Sequence, residues 1–274
     1  MSISTRWLEL DGLKIHYQTA GTGPPLVLLH GLLGGSFCWR DNLEALAQQH
    51  TVFALDLPGH GLSDAPPETD CRMACQTERV SRFMRELRLQ DVSLMAGSYG
   101  AAVAMWLATM ERLRSLVLVA PANPWSDFGR GRIEFFNTRF GGLFLRTAFP
   151  FSGPIHQIAL RRMYGTPASV TREARRGYVA NIVRPGRARN ALATLRTWQS
   201  DMDALRPHIP KITAPTLLIS GNRDGAVDPR SCEILQQQIP NCELITLAGL
   251  GHLPFEEAPE QFNQIVLKFL RKNI

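Results

Sequence analysis

The sequence predicts an α/β protein: a doubly wound, mostly parallel sheet of eight strands, with a helical cap inserted into it. Three observations predict this. Short apolar runs alternate with segments whose apolar residues recur at helical spacing. Runs such as "PLVLL" and "SLVLV" are continuously apolar, as strands covered on both faces should be. The alternation then lapses for about ninety residues between "SLVLVAP" and "PTLLISG", and resumes afterwards.

Each element has its own reason. "RWLEL" and "LKIHYQ" alternate around Asp11-Gly12, a hairpin signal. "PPLVLLHG" is a buried strand ending in His-Gly. Trp39, Leu43, Leu46 and Ala47 give a helical face, followed by the strand "TVFALD". Val80, Phe83, Met84 and Leu87 share the next helical face. "DVSLMAG" leads into an Ala-rich helix beginning after Ser98. "SLVLVAP" and "PTLLISG" are further buried strands, Cys232 to Ile239 a helix, "ELITLAG" a strand, and Glu260 to Arg271 a closing helix.

The break in rhythm divides the chain into a sheet domain, residues 1–124 and 207–274, and a cap, residues 125–206. Phe135, Phe136, Phe140, Phe144, Leu145, Phe149 and Phe151 crowd the early cap, where packing and pocket lining can coincide. Trp125, just after the sixth strand, is a candidate for the pocket wall.

Composition excludes several classes. At 274 residues and 45% hydrophobic, the chain can build a sizeable core. It contains no uninterrupted apolar run of the ~18 residues that a membrane-spanning helix needs. The start, "MSISTRWLELDGLKIHY", lacks a basic segment followed by an apolar block, so a cytoplasmic protein is expected. The five cysteines are odd in number and scattered, which suits reduced thiols. Cys71 and Cys75 are four apart, but no second Cys/His pair stands nearby, so no zinc site is expected.

The net charge of +6 is uneven. Residues 126–206 hold fourteen Arg, no Lys and five acids, an excess of +9, and the remainder carries −3. With 26 Arg and only four Lys in the whole chain, the choice of Arg is general, but the shortage of acids is local. A positive cap is expected to attract anionic substrates or acidic surfaces. No recognised nucleic-acid-binding motif accompanies the charge, so nucleic acid is not an expected partner.

The chemistry begins at "AGSYGA". A short turn from a buried strand into a helix pushes its middle side chain out at the sheet's edge. Its neighbours must be small, and here they are Ala96, Gly97 and Gly100. The helix N-terminus places a positive end beside the Ser98 oxygen. Open parallel sheets bind ligands at the carboxyl ends of their strands, where Ser98 would lie. From these residues alone an ordinary Ser N-cap is the alternative.

A nucleophilic Ser needs a base, and the base an orienting carboxylate. "LISGNRDGAVD" puts Asp224 just past a buried strand, with Asp228 as its rival. "LAGLGHLPFEEAPEQF" puts His252 between the last strand and the last helix. An oxyanion needs backbone N–H donors. Tyr99, after the nucleophile, offers one, and Leu32 in "LLHGLLGG" offers another. Of the other histidines, His30 is expected to hold the oxyanion loop by a local hydrogen bond, and His60 in "PGHG" to serve a turn. Asp56 is expected to anchor loop backbone, and His16, His50, His156 and His208 to be surface or structural.

With "HGLLGG", "DLPGHGLSD", "AGSYGA", "GNRDGAVDP" and "GLGHLPFEEAPEQF" in this order, nearly the whole chain resembles the α/β-hydrolase superfamily. The resemblance implies Ser98 as nucleophile, His252 as base, Asp224 rather than Asp228 as orienting acid, and Leu32 and Tyr99 as the oxyanion hole. It implies a cap between the sixth and seventh strands, and no metal or organic cofactor. One departure is that Ala96 stands where the family's motif usually begins with Gly.

The expected reaction is hydrolysis of a small ester or related acyl substrate through an acyl-enzyme. A Ser at the elbow argues against haloalkane dehalogenases and epoxide hydrolases, which use Asp there. Three alternatives remain at this point: carbon–carbon hydrolysis of ring-cleavage dienoates, cofactor-free perhydrolase or haloperoxidase activity, and a non-catalytic ligand receptor.

Overall fold

The computed structural model describes residues 2–127, 130–151 and 153–273. Strands β1 (Ser4–Leu10) and β2 (Leu13–Ala20) form an antiparallel hairpin. Asp11 and Gly12 between them have φ of 53° and 72°. Positive φ at both central residues makes a turn whose twist matches the strands. The other strands are β3 (Pro25–Leu29), β4 (Thr51–Leu55), β5 (Ser93–Gly97), β6 (Ser115–Val119), β7 (Thr216–Gly221) and β8 (Cys242–Leu247).

The described strands form one eight-stranded sheet in the order β1-β2-β4-β3-β5-β6-β7-β8. β2 runs antiparallel to β1 and β4, and every other pairing is parallel. From β3 the chain winds outward to β4 on one side, then returns to place β5 on the other. The carboxyl ends of β3 and β5 therefore flank the switch point, where open sheets leave a crevice for ligands.

Alternation along β3 explains the double cover. Val27 and Leu29 face one core with Val80, Phe83, Val103 and Leu107. Leu26 and Leu28 face the other with Leu43, Leu46, Phe262 and Val266. Successive strand residues point to opposite faces, so a central strand with helices on both sides must be apolar throughout. The first core is covered by α2 (Met73–Glu86) and α3 (Tyr99–Met110), and the second by α1 (Leu43–Ala47) and the final helix α11 (Pro259–Lys272). Two short helices complete the sheet domain: α9 (Pro229–Gln238) and α10 (Pro254–Glu257).

Two boundaries differ from the sequence pattern. The helical face from Trp39 to Ala47 is split into a 3-10 turn, Ser36–Trp39, and α1. Asn42 sits at the break and donates its side-chain amide to Phe255 O and Asn263 Oδ1, 3.0 and 2.9 Å away. α9 begins at Pro229, three residues before the apolar pattern, because the Asp228 carboxylate caps it by accepting from Arg230 N.

Between β6 and β7 the chain forms α4 (Arg130–Asn137), α5 (Arg139–Thr147), α6 (Gly153–Met163), α7 (Arg172–Ile182) and α8 (Arg187–Leu205). The Thr138 and Thr171 hydroxyls accept from Gly141 N and Ala174 N, capping α5 and α7. The insertion has its own small core of Leu145, Phe149, Ile182, Leu192 and Leu195, which Leu32 and Leu33 of the sheet domain also touch. Of the early phenylalanines, Phe136 and Phe144 pack against this core, while Phe135, Phe140 and Phe151 are exposed. Among the described residues, no helix is long and apolar enough to cross a membrane.

Candidate active site

Ser98 stands at the elbow between β5 and α3 with φ 52° and ψ −119°, a strained conformation for a residue with a side chain. The strain is held from several sides. Ser98 N donates to Val119 O, and Ser98 O accepts from Ala101 N and Ala122 N. β5 and β6 are buried at every position, so the turn has a rigid base. Gly100 is a true requirement: a Cβ there would drive into the carbonyl oxygens of His30 and Leu29. Gly97 is not, since a Cβ there would meet nothing nearer than the Phe255 ring at 3.7 Å.

His252 follows β8, and Asp224 follows β7. The Asp224 carboxylate accepts from His252 Nδ1 at 2.8 Å, and both side chains are almost wholly buried. The other Asp224 oxygen, Oδ1, accepts from Ala226 N and Val227 N, so its rotamer is held. The rival Asp228 is spent on capping α9. Ser98 and His252 line the same cavity of about 320 Å³. Neither Ser98 Oγ nor His252 Nε2 is hydrogen-bonded to another described residue.

The loop after β3 faces Ser98 across this cavity. Leu32 and Leu33 line it, and Leu33 has a positive φ of 60°. His30 organises the loop. Its Nε2 accepts from Leu57 N at 3.1 Å, so the proton is on Nδ1, which donates to Gly31 O at 2.7 Å. Burial holds the His30 pKa below the ordinary value, in keeping with a neutral ring. His60 lies beside it with ring centroids 5.2 Å apart, and packs on the Tyr99 ring. His60 is thus a buried packing residue as well as part of its turn. Tyr99 keeps its side chain in the core, its hydroxyl donating to Cys71 O.

Asp56 anchors loop backbone widely. Its carboxylate accepts from Ser36 N, Leu62 N and His16 Nδ1. Burial alone would raise its pKa, but the His16 hydrogen bond and the neighbouring donors hold it below the usual value. His16 is therefore structural, at 2% exposure.

The cavity wall is apolar. Phe136, Leu145, Phe149, Leu195 and Trp198 contribute from the insertion, and Val227 and Phe255 from the sheet domain. No Arg, Lys, Asp or Glu is among the described residues that line it. The described arginines of the insertion therefore do not line the cavity.

Trp125 is not among the residues that line the cavity. The Asn123 side chain accepts from Trp125 N and donates to Pro121 O and Ser231 Oγ, which sets the loop. The Trp125 ring packs at the edge of the sheet core under the Arg206 guanidinium, 5.4 Å from its centroid. Trp198, on α8, takes the place expected of it.

Sequence reasoning missed how the insertion grips the His252 loop. Glu256, buried on α10, accepts from Arg40 at 2.8 Å, from the Tyr164 hydroxyl at 2.8 Å, and from the Tyr178 hydroxyl. Its neighbour Glu257 accepts from Gly165 N and Gly251 N, both at 2.8 Å. Burial pushes the Glu257 carboxyl above its usual pKa. Tyr164, Gly165 and Tyr178 all belong to the insertion. The only sequence signal was the paired Glu in "HLPFEEAP", two acids in an otherwise apolar loop.

Comparison with known proteins agrees with this fold. A family model described as alpha/beta hydrolase fold matches residues 24–259. The pimeloyl-[acyl-carrier protein] methyl ester esterase of Aeromonas hydrophila is 28% identical over 266 residues, covering 94% of this chain and 100% of that protein. Among solved structures, a membrane phospholipase A superposes with a TM-score of 0.79 at 26% identity, covering 99% of this chain and 86% of that one. The epoxide hydrolase CorEH superposes with a TM-score of 0.86 at 25% identity, covering 99% of each chain. These names span different chemistries on one scaffold, so the match speaks to ancestry and architecture before substrate. The sheet order, the strained Ser elbow and a family match over most of its length lead to one conclusion: the chain belongs to the α/β hydrolase fold family.

Proposed function

We propose that the protein is a serine carboxylester hydrolase acting on esters with an uncharged, apolar acyl group. His252 takes the Ser98 proton as Ser98 Oγ attacks the ester carbonyl. Asp224 holds the His252 ring with Nδ1 protonated and stabilises the imidazolium that forms. The oxyanion rests on the N–H groups of Leu32 and Tyr99, at the start of α3, where one donor is worth ~3–4 kcal/mol. His252 then gives its proton to the leaving alcohol. Water, activated by the same ring, attacks the acyl-enzyme and releases the acid. No step calls for a metal or organic cofactor.

The observation that carries this reading is the buried Asp224–His252 hydrogen bond beside a strained Ser98 in one apolar cavity. The Aeromonas relative, named as a methyl ester esterase, supports the carboxylic ester as the reacting bond. The mostly apolar cavity supports the acyl class, because a charged group would meet no Arg, Lys, Asp or Glu among the described lining residues. By the same argument the carboxylate of a ring-cleavage dienoate finds no cation there. The insertion, 125–206, acts as the cap that excludes water from the reacting centre.

The test is hydrolysis of p-nitrophenyl esters from acetate to palmitate, by wild type and Ser98→Ala in parallel. Turnover of short or medium chains, lost in the variant, is expected. Activity that survives in Ser98→Ala sinks the proposal.

A further inference from the structure

Twelve large apolar side chains are exposed among the described residues, and six of them fall between 135 and 158. They are Phe135, Phe140, Leu143, Phe151, Ile155 and Ile158. Phe140 and Phe151 are 84% and 83% exposed, nearly free of the fold. The spacing pairs them on each helix. Phe140 and Leu143 are three apart on α5, Ile155 and Ile158 three apart on α6, and Phe151 stands in the turn between. Residues three apart on a helix share a face.

Arginines flank these residues. Arg146 follows Leu143 by three, and Arg161 and Arg162 follow Ile158 by three and four. With Arg139, all are exposed, and none forms an ion pair with a described residue. No acidic residue occurs between Glu134 and Glu173. Projecting apolar groups are costly to leave in water, and with exposed arginines beside them, unpaired among the described residues, the chemistry matches a lipid interface.

The same elements line the cavity from within. Phe136 on α4, Leu145 on α5, Phe149 in the turn and Met163 on α6 are buried or half-buried and line it, while the residues above are exposed. We propose that this outer face docks on an anionic phospholipid bilayer. The phenylalanines and isoleucines enter the boundary between headgroups and acyl chains. The arginines lay their stems along it and meet the lipid phosphates. On the ester hydrolase reading above, the consequence is that apolar esters reach the cavity from the lipid; the docking itself does not rest on that reading.

The test is cosedimentation of the whole chain with vesicles. One set is phosphatidylcholine mixed equally with phosphatidylglycerol, the other phosphatidylcholine alone. Wild type is expected to sediment with the anionic vesicles, much less with the neutral ones, and less as salt is raised. Phe140→Ser with Phe151→Ser should weaken binding to anionic vesicles by about a hundredfold, on the order of tenfold for each ring. Arg146→Gln with Arg161→Gln should weaken it toward the neutral-vesicle level. Thermal melting of each variant reports the fold, which exposed positions should leave unchanged. Failure of wild type to bind anionic vesicles overturns the proposal. So does binding that needs the arginines but ignores Phe140 and Phe151, because the apolar side chains would then not enter the bilayer. The assay reads no turnover, so Ser98→Ala protein gives the same answer, and failure here leaves the ester hydrolase reading standing.

Discussion

The backbone N–H of His252 donates to the carbonyl oxygen of Met163, 2.6 Å away. Met163 ends α6 in the insertion, so the cap holds the backbone of the proposed catalytic base directly. Glu256, four residues on, gathers Arg40, Tyr164 and Tyr178 around one buried carboxylate. Glu256→Ala would leave two hydroxyls without their acceptor and Arg40 with Asp41, 3.2 Å away, as its remaining carboxylate partner. Leaving such buried donors unpaired costs about 1–3 kcal/mol. Urea unfolding should show a loss of that order, and ester turnover should fall with it as the His252 loop loosens. Unchanged stability in Glu256→Ala contradicts the role given to this cluster.

The elbow makes a prediction about two nearby glycines. Gly100→Ala forces a methyl into the His30 and Leu29 carbonyl oxygens, the latter 2.9 Å from where the Cβ would sit. Those atoms are backbone at the carboxyl end of β3 and cannot move aside cheaply. Gly97→Ala meets only ordinary contacts from 3.7 Å outward. Gly100→Ala should lower the melting temperature steeply or prevent folding, as severe overpacking does. Gly97→Ala should melt within a few degrees of wild type. The reverse order would mean that the β3–α3 contact is not as close as described.

The two aspartates after β7 separate by role. Asp224→Asn keeps the shape but disturbs the His252 tautomer, and kcat should fall about 10⁴-fold. Asp228→Asn keeps a residue that caps nearly as well, so stability should change by a few tenths of a kcal/mol at most and turnover should persist. Steady-state kinetics on both variants decide this, and a greater loss in Asp228→Asn would reverse the assignment.

Acid should weaken the fold through His30 and His60. Burial lowers both below the ordinary value of 6.5, and burial beside His30 brings His60 to about 3. Below pH 6.5 the unfolded chain takes up protons that the folded rings refuse, so stability declines as pH falls from there toward 3. Each ring contributes up to about 1.4 kcal/mol per pH unit. Asp56, whose pKa is lowered, acts further down: its contribution is present above the usual carboxylate value and is lost as pH falls through the folded one. Urea midpoints at pH 7 and pH 5 should show a clear drop, smaller in His60→Gln. Equal midpoints would contradict it.

Much of the architecture was legible because it is written locally. The continuous apolar character of β3 follows from helices on both faces, and Asp11-Gly12 supplies the positive φ that its turn demands. Ser98, Asp224 and His252 could be picked out because each sits in a short loop directly after a strand. What escaped depends on how distant helices pack. Trp125 and Trp198 look alike in sequence, but only the packing of α8 over the cavity decides that Trp198 lines it. Glu256 draws partners 216, 92 and 78 residues away, beyond any local pattern. The count of arginines in the insertion is legible in the sequence, but their placement is a property of the folded helices: Arg139, Arg146, Arg161 and Arg162 are exposed, while Arg187 is buried and donates to Gly61 O and Ser63 O.

The most direct measurement of the central claim is labelling with a fluorophosphonate, followed by peptide mass spectrometry. Attack by an activated Ser98, with the phosphonyl oxygen on the Leu32 and Tyr99 N–H groups, predicts one adduct per chain, on Ser98, with loss of ester turnover in proportion to labelling. No adduct on Ser98, or full turnover in protein labelled there, would contradict the account.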